Sequence, residues 1–496
     1  MRVPSRARPL AAPAALAAAL AALASLSAPA PVRATAPHYC SFDREQRLDH
    51  DADPDDLLRV WVAYVGQGDG VLVELPPRLT YQPEGGGPAE RLEVLIDAGA
   101  FRDSDRVRMN DFLHQLPPDG VPVLEHVVIS HHDKDHVLGI THLLRQPDVA
   151  IETLYHNGLA SYLAGKGEFV ADVRPASDAA VLDWDGGRLK RGMAFLETDG
   201  SGDLQAEYLV DARDSLESDH AARLYQGIYL DLVEALLEKD RPRPVAEVSR
   251  LAAGAPFVTE RERARVPGIA GPEGVRFELL WPPDPPRRFG DWGETINGNS
   301  VTFRLRYRDF EMLFTGDHNE RSEEAMLWTL EAEGRLGELA CDVLKVPHHG
   351  SSHGIERFFR EAAKPVVAVV SVGRKGFRSK ATGSNAWQHP STDIIRWLGG
   401  AHRVYRTLIH ERHFDWEDLD TEAELEEMVE TSVVDGRVVE GMHVLVETDG
   451  TWFRVVEVPP GSDLADLPTP REVRRGDGTR WVRAAPTPGG AGCSTP

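Results

Sequence analysis

An α/β layered fold is predicted by three features of the sequence. Short apolar runs rich in Val, Leu and Phe recur between Leu57 and Val372, and segments of helical period fall between them. Three of the runs end abruptly in clusters of His and Asp. The chain has 496 residues, 42% hydrophobic and 27% charged, which suits a soluble protein with a large buried core.

In chain order, Leu57 to Leu75 predicts two strands around the turn Val65-Gly66-Gln67-Gly68-Asp69-Gly70. A short strand at Glu93 to Ile96 ends in Asp97-Ala98-Gly99, and Asp105 to Leu116 predicts a helix. The β-branched run Val127-Val128-Ile129 leads into Ser130-His131-His132-Asp133-Lys134-Asp135-His136, followed by a helix from Val137 to Leu144. Residues 155–270 are more polar and read as an insertion or lid, with a single strong helix at Ala221 to Leu237. Strands return at Phe277 to Leu280, Val301 to Tyr307, Met312 to Phe314, Val343 to Val346 and Val366 to Val372. Helices are expected at Ser322 to Leu330 and Ile355 to Ala363. After about residue 415 come an acidic stretch, a short β pattern at Met442 to Val458 and a Pro/Gly-rich tail.

The first 34 residues read as an export signal: Arg2, Arg6 and Arg8, an Ala/Leu run from Leu10 to Leu26, then Val32-Arg33-Ala34. Cleavage after Ala30 or Ala36, or retention as an anchor, are the alternatives. The mature chain is expected to be secreted or periplasmic, without a membrane span, since no later run approaches ~18 apolar residues. A net charge of −24 disfavours strong non-specific attraction to polyphosphates. Of the three cysteines, Cys341 is expected to be a buried free thiol. Cys40 and Cys493 could pair in an oxidising compartment, although terminal cysteines are more often unpaired.

The chemistry concentrates in three strand ends. His131, Asp133, Asp135 and His136 are four nitrogen or oxygen donors within six residues, directly after a buried strand. Such a set suits one or two divalent ions. Leu313-Phe314-Thr315-Gly316-Asp317 places a carboxylate at a second strand tip, and Leu344-Lys345-Val346-Pro347-His348-His349 places paired imidazoles at a third. The metal set read from these segments is His131, Asp133, Asp135, His136, Asp317 and His349. His318 is expected to be an exposed neighbour of Asp317, and Asp69 and Asp97 to brace turns. Lys345 is either solvated or a contact for an anionic oxygen.

This order of motifs, HxDxDH, FTGD and LKVPHHGS, resembles the metallo-β-lactamase domain of ComEC-type DNA-uptake proteins and its free-standing relatives. Val65-Gly66-Gln67-Gly68-Asp69, Leu95-Ile96-Asp97-Ala98-Gly99, Asn297-Gly298-Asn299-Ser300, Val369-Val370-Ser371-Val372-Gly373 and His389-Pro390 match further family segments. The resemblance implies an αββα sandwich of two mixed sheets flanked by helices, within a hydrolase domain at 35–415 followed by a C-terminal extension at 416–496. It implies one or two divalent ions, Zn or Mn; Asp133, an oxygen donor where the wider superfamily has histidine, moves the preference toward Mn or Mg and away from Zn. Metal-assisted hydrolysis follows, with Asp135, Asp317 and His348 as catalytic candidates: Asp135 on a second metal or orienting the nucleophile, Asp317 bridging, and His348 touching substrate or supporting His349. The substrate class implied is a phosphodiester, with nucleic acid among the partners. Hydrolysis of a small ester, lactone or β-lactam is the alternative within enzymes, and a non-catalytic binding protein is the alternative outside them.

Overall fold

The computed structural model describes residues 52–82, 89–116, 123–163, 183–185, 188–208, 213–238, 244–373, 376–377, 387–398, 404–408, 433–434, 437–438, 441–458, 460 and 482–483. The signal segment, Cys40 and Cys493 lie outside these residues.

The chain enters through β1 (Leu58–Val62), β2 (Gly70–Glu74) and β3 (Glu93–Ala98), then α1 (Arg108–Leu113), β4 (Val123–Val128), α2 (Lys134–Leu143) and β5 (Ala150–His156). A separate sheet follows, of β6 (Leu159–Ser161), β7 (Asp183–Asp185), β8 (Arg188–Thr198), β9 (Leu204–Tyr208) and β10 (Arg213–Ser215). It is followed by α3 (Ser218–Leu224) and α4 (Gly227–Leu237). β11 (Glu247–Arg250) then returns to the first sheet beside β5. The region outside the main sheets is therefore narrower than 155–270, because Tyr155, His156 and residues 247–250 are sheet residues.

The expected single helix at Ala221 to Leu237 is two. Tyr225 and Gln226 are extended, and Tyr225 forms a β-bridge with Tyr162. Tertiary pairing here overrides a helical periodicity.

The second half starts with α5 (Val258–Glu262), β12 (Val275–Trp281), α6 (Trp292–Gly298), β13 (Thr302–Tyr307) and β14 (Phe310–Phe314). It continues with α7 (Glu320–Ala332), β15 (Val343–Lys345), α8 (Arg357–Ala363), β16 (Val367–Val370), α9 (Thr392–Trp397) and β17 (Val404–Arg406). Asn297-Gly298-Asn299 closes α6, whose first turn is capped by Asp291 accepting from the Glu294 N–H. The C-terminal β pattern forms β18 (His443–Thr448) and β19 (Trp452–Val458), which join the first sheet against β1. β20 (Val482–Arg483) pairs with β19.

Each half runs two antiparallel pairings and then parallel ones: β1–β2–β3 into β4, β5 and β11, and β12–β13–β14 into β15, β16 and β17. Alternation along the strands sorts side chains into layers. Val60, Val71, Val94, Ile96 and Val128 face Phe277, Phe303, Met312, Phe314 and Val343 in a core between the sheets. Trp61, Leu72, Leu95 and Val127 face the other way, onto Phe112, Val137 and Ile140 of the helices. Leu313, Leu344, Ala368 and Val370 pack on Met326, Leu330, Phe359 and Ile394. The order is helix, sheet, sheet, helix: a metallo-β-lactamase αββα sandwich. Each fully buried aromatic or aliphatic side chain stabilises it by roughly 1.5–3 kcal/mol.

Candidate metal centre

The site residues emerge from the carboxyl ends of strands in both sheets. His131 follows β4, Asp317 follows β14, His349 follows β15, and Asp97 lies in β3. Crevices at such strand ends are where α/β sheets bind ligands. The loop between β1 and β2 locks the centre from beneath. Gly68 (φ +151°) and Gly99 bring their backbones against Asp135; a Cβ on Gly99 would sit 1.8 Å from the Asp135 carbonyl carbon. The Asp69 N–H donates to the Asp135 carbonyl at 3.0 Å.

Each imidazole is held by one nitrogen and leaves the other open. Nδ1 of His136 donates to Asp97 Oδ2 at 2.9 Å, and Nδ1 of His349 donates to the Ser371 carbonyl at 2.8 Å. The Ser130 hydroxyl donates to Asp97 Oδ2 at 2.6 Å, so it accepts from Nδ1 of His131 at 3.0 Å. The Nε2 atoms of all three histidines, with Asp317 Oδ1 and Asp69 Oδ1, are buried and have no hydrogen-bond partner. Buried polar atoms are rarely left so.

The open atoms converge. His136 Nε2 is 3.2 Å from Asp317 Oδ2, and His349 Nε2 is 3.5 Å from the same oxygen and 3.6 Å from Asp135 Oδ2. His131 Nε2 lies 3.9 Å from Asp133 Oδ2. Donors around one ion at about 2.1 Å stand no more than roughly 4.2 Å apart, so these spacings fit divalent metal. Two of the candidate triads are His131, His136, Asp317 and Asp135, His136, His349, each with its ligand atoms within 4.8 Å of one another. Asp69 completes further triads with Asp317 and His349, and with Asp97 and His136.

Electrostatics agree with that fit. Burial disfavours charge on His136, yet Asp317 and Asp97 raise its pKa well above the ordinary value. Burial likewise opposes charge on His349, and Asp317 and Asp69 lift it to about 10. Burial alone would raise the Asp69 carboxyl; Lys345 first, then His349, bring it down to about 2. Carboxylates crowded in the core call for positive charge, which a bound metal would supply in place of the histidine protons.

Five of the six predicted metal residues meet in these triads. Asp133 stands at their edge, its side chain 38% exposed. With its amide oriented to pair, Asn297 donates to Asp133 Oδ2 at 3.1 Å. His348 lies at the rim, Nε2 4.0 Å from Asp317 Oδ2. His348 and His349 both carry positive φ, 48° and 52°, strain of about 1–3 kcal/mol each that is typical of functional positions. His389 stacks near His348, with ring centroids 5.5 Å apart.

Three expectations change. His318 is not exposed; it is fully buried, with Nε2 2.9 Å from the Thr302 hydroxyl. Lys345 is neither solvated nor a substrate contact; it is buried against Asp69. Asp69 does more than brace a turn, since its second oxygen is 3.3 Å from His349 Nδ1. A lysine inside an otherwise apolar strand was the one local sign that Lys345 is unusual; its partner Asp69 lies too far along the chain to be read from it. Cys341 is a buried free thiol.

Fold and centre together define a class: a metallo-β-lactamase-type sandwich whose His/Asp clusters can bind metal. No family model matches the chain. It is similar to the ComE operon protein 3 of Bacillus subtilis (strain 168), 25% identical over 170 residues. The match covers 31% of this chain and 19% of that protein, so the chain spans a small part of its relative. A solved structure, the crystal structure of a long form RNase Z from yeast, aligns with a TM-score of 0.27 and 9% identity. That alignment covers 66% of this chain and 39% of the other and is too loose to argue from.

Proposed function

We propose that this chain is an exported metal-dependent hydrolase acting on phosphodiesters, nucleic acid among them. One observation carries the hydrolase reading: three buried imidazole Nε2 atoms and two carboxylate oxygens lie together without hydrogen-bond partners at the carboxyl ends of strands. The motif resemblance and the similarity to a ComE operon protein support the phosphodiester class.

In this reading His131, Asp135, His136, Asp317 and His349, with Asp133 at their edge, would hold one or two divalent ions, Zn or Mn. Bound there, such ions supply Lewis acidity to water and to a substrate oxygen. The chain's own residues orient the donors: Asp97 and Ser130 fix His136 and His131, and the Ser371 carbonyl fixes His349. His348, at the rim, contacts the substrate.

The test is metal analysis of the purified protein, then a screen of bis-p-nitrophenyl phosphate, single-stranded DNA and nitrocefin with Mn or Zn supplied. Hydrolysis of the phosphodiesters, lost on chelation and restored by metal, is expected. Turnover of nitrocefin alone moves the assignment to the small-ester or β-lactam class; stoichiometric metal with no turnover favours a binding protein. Export is checked by N-terminal sequencing of cell-derived protein. A start near Thr35 is expected, and an intact Met1 in the cytosol refutes it.

A further inference from the structure

We infer that Arg191 and Trp292 form an anion subsite beside the metal centre, contributed by the sheet of β6 to β10 and by α6, which takes the phosphate of the substrate. The inference rests on the phosphodiester reading above. Two independent routes place the pair there. Arg191 is the cross-strand partner of Ser161, and the Ser161 hydroxyl is 3.3 Å from Nε2 of His132, the residue after His131. Trp292 opens α6, and Asn297 near the end of that helix pairs with Asp133. The two routes close on each other, since the Arg191 guanidinium lies 5.7 Å from the centre of the Trp292 ring.

Both groups are donors without partners. Among the described residues, the half-buried Arg191 side chain has the Trp292 ring as a contact, and its guanidinium makes no hydrogen bond or ion pair. Trp292 is 8% exposed, and its indole N–H has no acceptor. A guanidinium fork and an N–H, left open together, match the oxygens of a phosphate group.

The probe is the dinucleotide dTpdT, titrated calorimetrically into the metal-free full chain, so that the readout is binding. Arg191→Met is expected to weaken binding at least tenfold and to reduce its salt dependence by roughly one ion. Arg191→Lys should lie between, keeping charge without the fork, and Trp292→Phe should weaken binding several-fold. Affinity for Mn or Zn should stay within twofold of wild type in the Arg191 variants. Unchanged dTpdT binding in Arg191→Met overturns the subsite, as does loss of metal affinity in both Arg191 variants, which would show a structural role. Hydrolysis of bis-p-nitrophenyl phosphate with the same KM in wild type and Arg191→Met sinks the subsite while leaving the phosphodiester reading standing. A wild type that ignores dTpdT but binds an aliphatic carboxylate through Arg191 sinks the phosphodiester reading and keeps an anion subsite.

Discussion

Asp97 Oδ2 accepts from both the Ser130 hydroxyl, at 2.6 Å, and Nδ1 of His136, at 2.9 Å. One carboxylate thus orients His136 directly and His131 through the serine. Asp97→Asn is the informative change, because asparagine tolerates the positive φ of 55° found there. It should lower metal affinity by about 10–100-fold with little loss of fold, as read by competition with a chelating dye. Wild-type affinity in this variant would show that Asp97 does not tune the centre.

Asp317 and His318 are adjacent and should fail in opposite ways. Asp317→Ala removes an oxygen near both His136 and His349, so bound metal and hydrolysis should be lost while the melting temperature changes little. His318→Ala empties a fully buried position beneath Trp281 and should cost about 2 kcal/mol or more of stability. Metal content by elemental analysis, set beside thermal melts, separates the two. Equal metal loss in both would show that His318 serves the centre.

Gly99→Ala tests the backbone contact under the HxDxDH turn. The added methyl would meet the Asp135 backbone at 1.8 Å, and no rotamer relieves a Cβ clash. Destabilisation of at least about 3 kcal/mol, measured by urea unfolding, is expected. A variant as stable as wild type would mean that the two loops separate freely.

Stability should decline toward alkaline pH through Glu125. This carboxyl is buried, and burial raises its pKa to about 8, although it accepts from the Glu93 N–H and the Tyr81 hydroxyl. The folded state therefore binds a proton that the unfolded chain, near 4.5, releases earlier. The stabilisation is full below 4.5 and is lost as pH rises toward 8, on the order of 1.4 kcal/mol per pH unit. Melting temperatures from pH 5 to 8 should fall more steeply in wild type than in Glu125→Gln; parallel slopes would exclude this group as the cause.

The His/Asp cluster that could hold metal was legible where motif and strand end coincide. His131, Asp135, His136, Asp317 and His349 each follow or terminate an apolar run, and the fold gathers those ends. Less legible was everything set by contacts between distant segments. Lys345 finds Asp69 across 276 positions, so neither burial nor partner follows from local pattern. His318 looks like a turn residue in sequence and is buried because Thr302 and Trp281 close over it. The break between α3 and α4 depends on Tyr162, and the C-terminal hairpin reads as an appendage although it completes the first sheet.

That hairpin has a consequence for how the protein is made. β1 pairs Leu58 with Thr448 and Val62 with Val444, so the earliest strand waits for one of the last. During synthesis the β18 side of β1 stays an open edge carrying Val60 and Val62 until residues 443–448 have been made. Such a long closure makes folding slow and keeps the nascent chain pliable. A product ending before residue 443 would leave the edge permanently open, a template for strand addition between molecules.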